Sequence, residues 1–273
     1  MTLALLDGEL VSASDLTLPL PNRGLQFNDG FFETLVAADG RVRWLSGHAA
    51  RMQAAADALG LQLPAPLTAE ALGSTLLAFA AGSGVAGPVR LRLQLWRSGG
   101  GLYAPGTAQA HWLLTAAAFT PNDESLTRAG FALQVRTHFS PVSFCKGPYA
   151  LHYVLAAQER AARGLDELLL LDARGHVAEA VAAAVFWLRD GELFTPALTS
   201  GCVAGVRRAH LLGVARQHGV RCHEGLFGAP ELLTAEAVFT ANVAGIRPVA
   251  RVDDTHFDPA PPLLAALRRW EAD

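Results

Sequence analysis

The sequence predicts an α+β protein of two domains, and three observations carry that expectation. Asp7-Gly8, Asp39-Gly40 and Asp190-Gly191 each stand between short apolar runs, the pattern of a β-hairpin. Longer apolar-periodic stretches that end at Gly60 and Gly164 read as helices. The segment Phe-Thr-Pro-Asn-Asp-Glu at 119–124 is a polar, proline-containing break. The expected division is an N-terminal domain over 1–118, a linker over 119–124 and a C-terminal domain over 125–273.

Strands are expected at 3–6 and 9–11 around the first turn, and at 31–37 and 41–44 around the second. Ser46 is placed to cap a helix that runs to Leu59, with Gly60 beyond its end. A second helix follows Thr68 and stops before Gly82-Ser83-Gly84. It covers most of the uncharged stretch 71–89, whose glycines and proline argue against a membrane span. Strands at 89–96 and 112–118 complete the first domain. In the second, a strand at 131–135 leads into the loop SPVSFCKGPY and then a helix over 150–163. The apolar run 167–171 reads as a buried strand, followed by another at 177–180. The third hairpin takes 185–189 and 192–195. A helix over 206–218, strands at 220–223 and 237–240, and a helix over 263–271 close the chain.

Composition excludes several classes of function. The 25 acidic residues slightly outnumber 22 basic ones, for a net charge of −3, so no basic surface for nucleic acid or an anionic membrane is expected. Cys145, Cys202 and Cys222 have neither disulfide nor zinc-ligand spacing, which points to a reducing cytoplasm. The opening MTLALLDGEL has no basic region ahead of its apolar residues and is not read as a signal peptide. Nine histidines show no HExxH spacing, so no metal site is expected, and neither GxSxG nor a P-loop occurs.

Of the 22 basic residues, 21 are arginine and one is lysine, Lys146. Codon bias is the plain reading, because arginine serves wherever a surface cation is needed. Arginine cannot replace lysine in imine chemistry, since its guanidinium stays protonated and is a poor nucleophile. Lys146 also lies in a loop between a predicted strand and helix, beside Phe144, Tyr149 and Leu151, which are placed to give it an apolar wall. Glu179 is the one charge in VAEAVAAAVF. Buried there it needs a partner, and either an arginine or a protonated pyridine nitrogen would serve. The loop LTSGCVAG leads through Gly205 into a helix opening at Val206 and Arg207, a ready anion site that is also common in proteins binding no anion. Thr240 and Asn242 end a strand and offer further donors. Arg51 either reaches a phosphate or makes a surface salt bridge. Arg97, beside Gly99, Gly100 and Gly101, either receives a substrate carboxylate or simply starts a hairpin loop.

With these residues named, the chain resembles the class IV aminotransferases, the fold-type IV pyridoxal-phosphate enzymes. These include branched-chain and D-amino-acid aminotransferases and 4-amino-4-deoxychorismate lyases. The likeness runs in order through NRGLQFNDGFFETL from Asn22, HAARMQAAADALGL from His48 and KGPYALHYVLAAQERAARGLDELLLLD from Lys146. It continues through GHVAEAVAAAVFWL from Gly175, LFTPALTSGCVAGVRR from Leu193 and VFTANVAGIRPV from Val238.

The resemblance implies a D-amino-acid-aminotransferase-like fold, with a smaller N-terminal and a larger C-terminal domain and the cofactor in the cleft between them. It implies a Schiff base between Lys146 and pyridoxal 5′-phosphate, with the same lysine then carrying a proton between substrate Cα and cofactor C4′. Glu179 would pair with the pyridine nitrogen. Arg51, the Val206 and Arg207 amides and Asn242 would hold the phosphate. Phe31, Arg97, Tyr103, Tyr149 and Val243 would line the substrate, with Arg23 or Tyr103 on a loop lent by the partner of a homodimer. The implied activity is transamination of a small or branched amino acid with a 2-oxo acid. The alternative is release of pyruvate from aminodeoxychorismate to give 4-aminobenzoate. A member that has lost catalysis is disfavoured by the retained Lys146, Glu179 and Arg51.

Three segments depart from the family pattern: Ala184 replaces a frequent asparagine, Gly147-Pro148-Tyr149 replaces Thr/His-Leu-Asn, and RSGGGLY supplies one arginine where two are usual.

Overall fold

The computed structural model describes residues 3–18 and 20–271, so the first two residues of the N-terminal stretch lie outside it. The chain divides into two units, one of Met1–Thr120 with Cys145–Pro148, the other of Pro121–Phe144 with Tyr149–Asp273. The segment carrying Lys146 therefore packs with the first unit, although its place in the sequence suggested the C-terminal domain. Three hydrogen bonds described below explain this.

In the first unit β1 (Leu3–Leu6) and β2 (Glu9–Ser12) form the expected hairpin, followed by a short helix α1 (Arg23–Phe27). Then come β3 (Gly30–Ala38), β4 (Arg41–Val42), α2 (Leu45–Leu59), α3 (Leu72–Gly82), β5 (Val89–Arg97) and β6 (Ala110–Ala118). The sheet order is β2-β1-β6-β5-β3-β4, with antiparallel neighbours throughout. Asp7 and Asp39 sit at φ 52°, each followed by a glycine at positive φ, the backbone that tight two-residue hairpins need. The β3–β5 pairing fixes which side chains of β3 face α2, and α2 buries His48, Arg51, Met52, Ala55 and Ala56. Ser46 does not cap α2. The helix starts two residues earlier, from a left-handed Trp44 that has no side-chain capping bond, while Gly60 ends it as expected.

The second unit holds β7 (Ala129–Thr137), α4 (Ala150–Ala162), β8 (Glu167–Asp172), β9 (Val177–Ala180), β10 (Ala184–Arg189), β11 (Glu192–Pro196) and α5 (Val206–Gln217). It ends with β12 (Cys222–Gly225), α6 (Ala229–Leu233), β13 (Ala237–Ala241), β14 (Ile246–Val249), β15 (Arg251–Val252), β16 (Thr255–His256) and α7 (Pro262–Trp270). Two five-stranded sheets result, β12-β11-β10-β13-β14 and β16-β15-β7-β8-β9.

These sheets bury one core between them, with Phe131, Leu169, Val177, Val185, Trp187, Phe194, Val238 and Val249. The opposite face of the first sheet buries Phe186, Leu188, Leu193 and Phe239 against Leu211 and Leu212 of α5 and Leu264 and Leu267 of α7. The opposite face of the second buries Ala132, Leu168 and Leu170 against Ala156 of α4. Strands covered on both faces cannot alternate apolar with polar residues, which is why 168–171 and 185–188 read as unbroken apolar runs. Each fully buried leucine or phenylalanine contributes about 1.5–3 kcal/mol. No helix among the described residues is long and apolar enough to cross a membrane, and 71–89 resolves into α3 and a loop.

Candidate active site

In the first unit the main chain around Lys146 is tied to the start of β3. The Phe32 amide donates to the Lys146 carbonyl at 2.9 Å. Asn28, left-handed at φ 53° as the C-cap of α1, donates through Nδ2 to the carbonyls of Gly147 (2.5 Å) and Pro148 (3.3 Å). Gly147 has φ +133°, and a Cβ there would lie 3.0 Å from Phe31 Cα and 3.2 Å from Gly30 O. Gly147→Ala is therefore expected to cost about 1–3 kcal/mol in strain. It should lower both the melting temperature and cofactor retention. A variant equal to wild type in both would show that this close approach does not set the lysine's position. Lys146 itself is half-buried. Of its apolar neighbours, Leu151 is 71% exposed and Tyr149 40%, so neither forms a buried wall. Burial pushes the Cys145 thiol up to about 11, so it is neutral and inert beside the lysine.

Arg51 does not make a surface salt bridge. It is buried on α2 and donates through Nε and Nη2 to both oxygens of Glu33 on β3, at 2.7 and 2.5 Å. His48 Nδ1 lies 2.7 Å from the same carboxylate. Burial alone would raise the Glu33 pKa. The Arg51 charge and the hydrogen bonds from His48 and Arg51 outweigh it and hold the group at about 2. An ionised carboxylate only accepts, so Nδ1 carries the histidine's proton. Glu33 thus orients the guanidinium for which the family resemblance implies a phosphate.

In the second unit Glu179 lies on β9, a strand buried along its whole length. Its Oε1 accepts from the Tyr153 hydroxyl of α4 at 2.5 Å, and its Oε2 from the Val203 amide at 3.2 Å. Both donors are neutral. At the start of α5, which Val206 opens, Gly205 is the N-cap and makes no side-chain capping bond. The Arg207 side chain bonds Glu271 and donates to the Asn242 carbonyl at 2.8 Å. Asn242 fastens its own loop, donating to Ala182 O at 3.1 Å and accepting from the Ala244 amide at 2.8 Å. Ala184 lies beneath the approach to α5, its Cβ 3.9 Å from where a Gly205 Cβ would be.

The profile of amino-transferase class IV matches residues 30–252. The chain belongs to the class IV aminotransferases. It is 29% identical over 263 residues to a branched-chain-amino-acid aminotransferase of Pseudomonas aeruginosa, covering 90% of this chain and 83% of that one. It is 26% identical over 251 residues to an aminodeoxychorismate lyase of Vibrio harveyi, covering 86% and 87%. Among solved structures, the branched-chain aminotransferase of Thermoproteus uzoniensis superposes with a TM-score of 0.88 at 25% identity, covering 98% of this chain and 93% of that one. The 4-amino-4-deoxychorismate lyase of Pseudomonas aeruginosa superposes at 0.84 with 30% identity, covering 97% of each. The protein is thus an enzyme of the pyridoxal-phosphate-dependent class with the fold-type IV architecture.

The donor set suits that cofactor. A buried carboxylate accepts from a tyrosine hydroxyl and a main-chain amide, and a helix whose N-cap makes no side-chain capping bond follows a glycine. Lys146, Arg51, Phe31, Arg23, Arg97 and Tyr103 belong to the first unit, and Glu179, Val206, Arg207, Asn242, Tyr149 and Val243 to the second.

Two arginines expected near the substrate are held by hydrogen bonds within the chain. All five donors of Arg97 are engaged: Nε with Asp29, Nη1 with the carbonyls of Gly60 and Thr107, and Nη2 with Asp29 and the carbonyl of Leu59. Arg23 binds the same Asp29 and clamps the carbonyls of Gly100, Gly101 and Leu102. Burial would raise the Asp29 pKa, but hydrogen bonds from Arg97 and Arg23 lower it. Arg97 thus ties the end of β5 to Asp29, to the end of α2 and to Thr107. Arg97→Lys offers three donors in place of five and is expected to lower the melting temperature by several degrees, at about 1–3 kcal/mol per orphaned acceptor. Substrate KM should stay within about twofold. A raised KM at unchanged stability would restore Arg97 to the substrate. Tyr103 is 89% exposed, its ring against Phe27, and Phe31 is buried.

The residues that sequence reasoning missed are Glu33, His48, Asn28 and Tyr153. Glu33 carried one signal, the single charge in the strand run that follows Gly30.

Proposed function

We propose that this enzyme moves the amino group of a small or branched amino acid to a 2-oxo acid, with Lys146 as the reacting amine. When bound, pyridoxal 5′-phosphate supplies a carbonyl that captures an amine and a ring that draws electrons from its Cα. Lys146 would be the group that takes the proton from substrate Cα and carries it toward the cofactor. Glu179 holds the pyridine nitrogen protonated. Arg51, oriented by Glu33, and the first turn of α5 hold the phosphate, with Asn242 shaping the loop beside them. The observation that carries this reading is the anchoring of the chain's only lysine by Phe32 and Asn28, where a swing of the side chain moves the amine and the main chain stays fixed.

A second reading, release of pyruvate from aminodeoxychorismate, is favoured by the even 97% coverage and 30% identity shared with a lyase structure. An amino-acid panel followed by the cofactor's absorbance separates the two. Rapid conversion to the amine form of the cofactor supports transamination. No conversion, with pyruvate released from aminodeoxychorismate, supports the lyase, and neither activity would sink both.

We place the enzyme as a homodimer in a reducing cytoplasm. Leu25, Leu102 and Tyr103 are all exposed on segments that Arg23 holds together, and none of the three cysteines is in a disulfide. Sedimentation at micromolar concentration tests the dimer.

A further inference from the structure

We propose that Tyr153 is a positioning residue for Glu179, and that its hydroxyl keeps the shared proton on the pyridine nitrogen rather than on the carboxylate. The inference rests on the assignment of Glu179 to that nitrogen.

A carboxylate offers about four acceptor sites. On Glu179 the Tyr153 hydroxyl takes one on Oε1 and the Val203 amide one on Oε2, which fixes the plane of the group from both sides. The two donors are unequal. The main-chain amide, at 3.2 Å, is an ordinary neutral contact, whereas a phenol at 2.5 Å from a carboxylate is a short, charge-assisted bond. Such a bond stabilises the anion and lowers its affinity for a proton. A carboxylate so held remains a counter-ion and competes weakly with a ring nitrogen for a shared proton.

Tyr153 is itself rigidly placed. Its ring lies 4.1 Å from that of His152, which stacks in turn on Tyr149, and it packs against the core formed by Ala132, Val135, Ala156, Leu168 and Leu170. The hydroxyl therefore reaches Glu179 from a side chain that folding has already ordered.

Tyr153→Phe keeps this packing and removes only the donor. The test loads wild type, Tyr153→Phe and Glu179→Gln with cofactor labelled with nitrogen-15 in the ring, and records that resonance against pH. The expected result for Tyr153→Phe is a shift toward the unprotonated pyridine position, together with a kcat lowered about tenfold and a KM within about twofold. The cofactor dissociation constant should rise about tenfold as well. Glu179→Gln should shift the resonance further in the same direction.

A resonance that moves in Glu179→Gln but not in Tyr153→Phe overturns the role of Tyr153 alone. One that moves in neither overturns the assignment of Glu179, and the proposal with it. Should Tyr153→Phe not fold, a fluorinated tyrosine at position 153, a stronger donor of the same shape, is expected to shift the resonance the opposite way. No shift there contradicts the proposal.

Discussion

Lys146→Arg is expected to fold like wild type and to lose turnover by at least ~10³-fold, the order of effect that a positioned proton carrier supplies. The substitution keeps the cation and most of the length of the side chain. It removes the one group able to shed a proton and attack a carbonyl, because a guanidinium stays protonated at any working pH. The Phe32–Lys146 and Asn28–Gly147 hydrogen bonds use main-chain carbonyls and survive the change. Circular dichroism and the melting temperature should therefore match wild type while the half-reaction with any donor stops. Turnover within about tenfold of wild type would show that the lysine is not the reacting amine.

Glu33→Gln should be the most destabilising single change in the first unit. It leaves the buried Arg51 guanidinium without its counter-ion and turns an amide toward the donors of Arg51 and His48. Breaking a buried pair from one side costs about 3–5 kcal/mol. The pH dependence follows from the direction of the shift. Glu33 sits at about 2 in the folded protein, below its ordinary value of 4.5, so the unfolded chain takes up a proton first. Its contribution is complete above pH 4.5 and is lost as pH falls from there toward 2. Urea unfolding at several pH values should show Glu33→Gln weaker at neutral pH and with a flatter acid slope. Equal stability at pH 7 would mean that the pair contributes nothing net. Cofactor affinity should fall in parallel, since Arg51 loses the group that aims it.

The legible parts of the molecule were those set by local chemistry. The Asp-Gly hairpins could be read because few residue pairs tolerate that backbone, and Gly60 ended α2 for the same reason. Lys146 and Glu179 stood out because each breaks a pattern, one as the sole lysine and the other as a charge in an apolar run.

What escaped reading depends on partners far apart in the chain. Arg97 beside three glycines looked like a mobile cation, and only the fold shows Asp29, 68 residues away, and the carbonyls of Leu59 and Gly60 around it. Helix α1 is five residues long, too short to show a period. In β14 the pair Arg247-Pro248 hid a strand that tolerates proline because it lies at the edge of its sheet. Tyr153 sat unnoticed in a helical apolar pattern, and only the helix-on-sheet packing brings its hydroxyl to Glu179.

The central claim is that one lysine carries the cofactor, and the composition makes it directly measurable. Borohydride reduction of the yellow holoenzyme followed by peptide mass analysis should find the reduced cofactor on Lys146 in one-to-one ratio, since no other lysine competes. A colourless protein that takes up no pyridoxal phosphate, or a label found only at the N-terminal amine, would contradict the account.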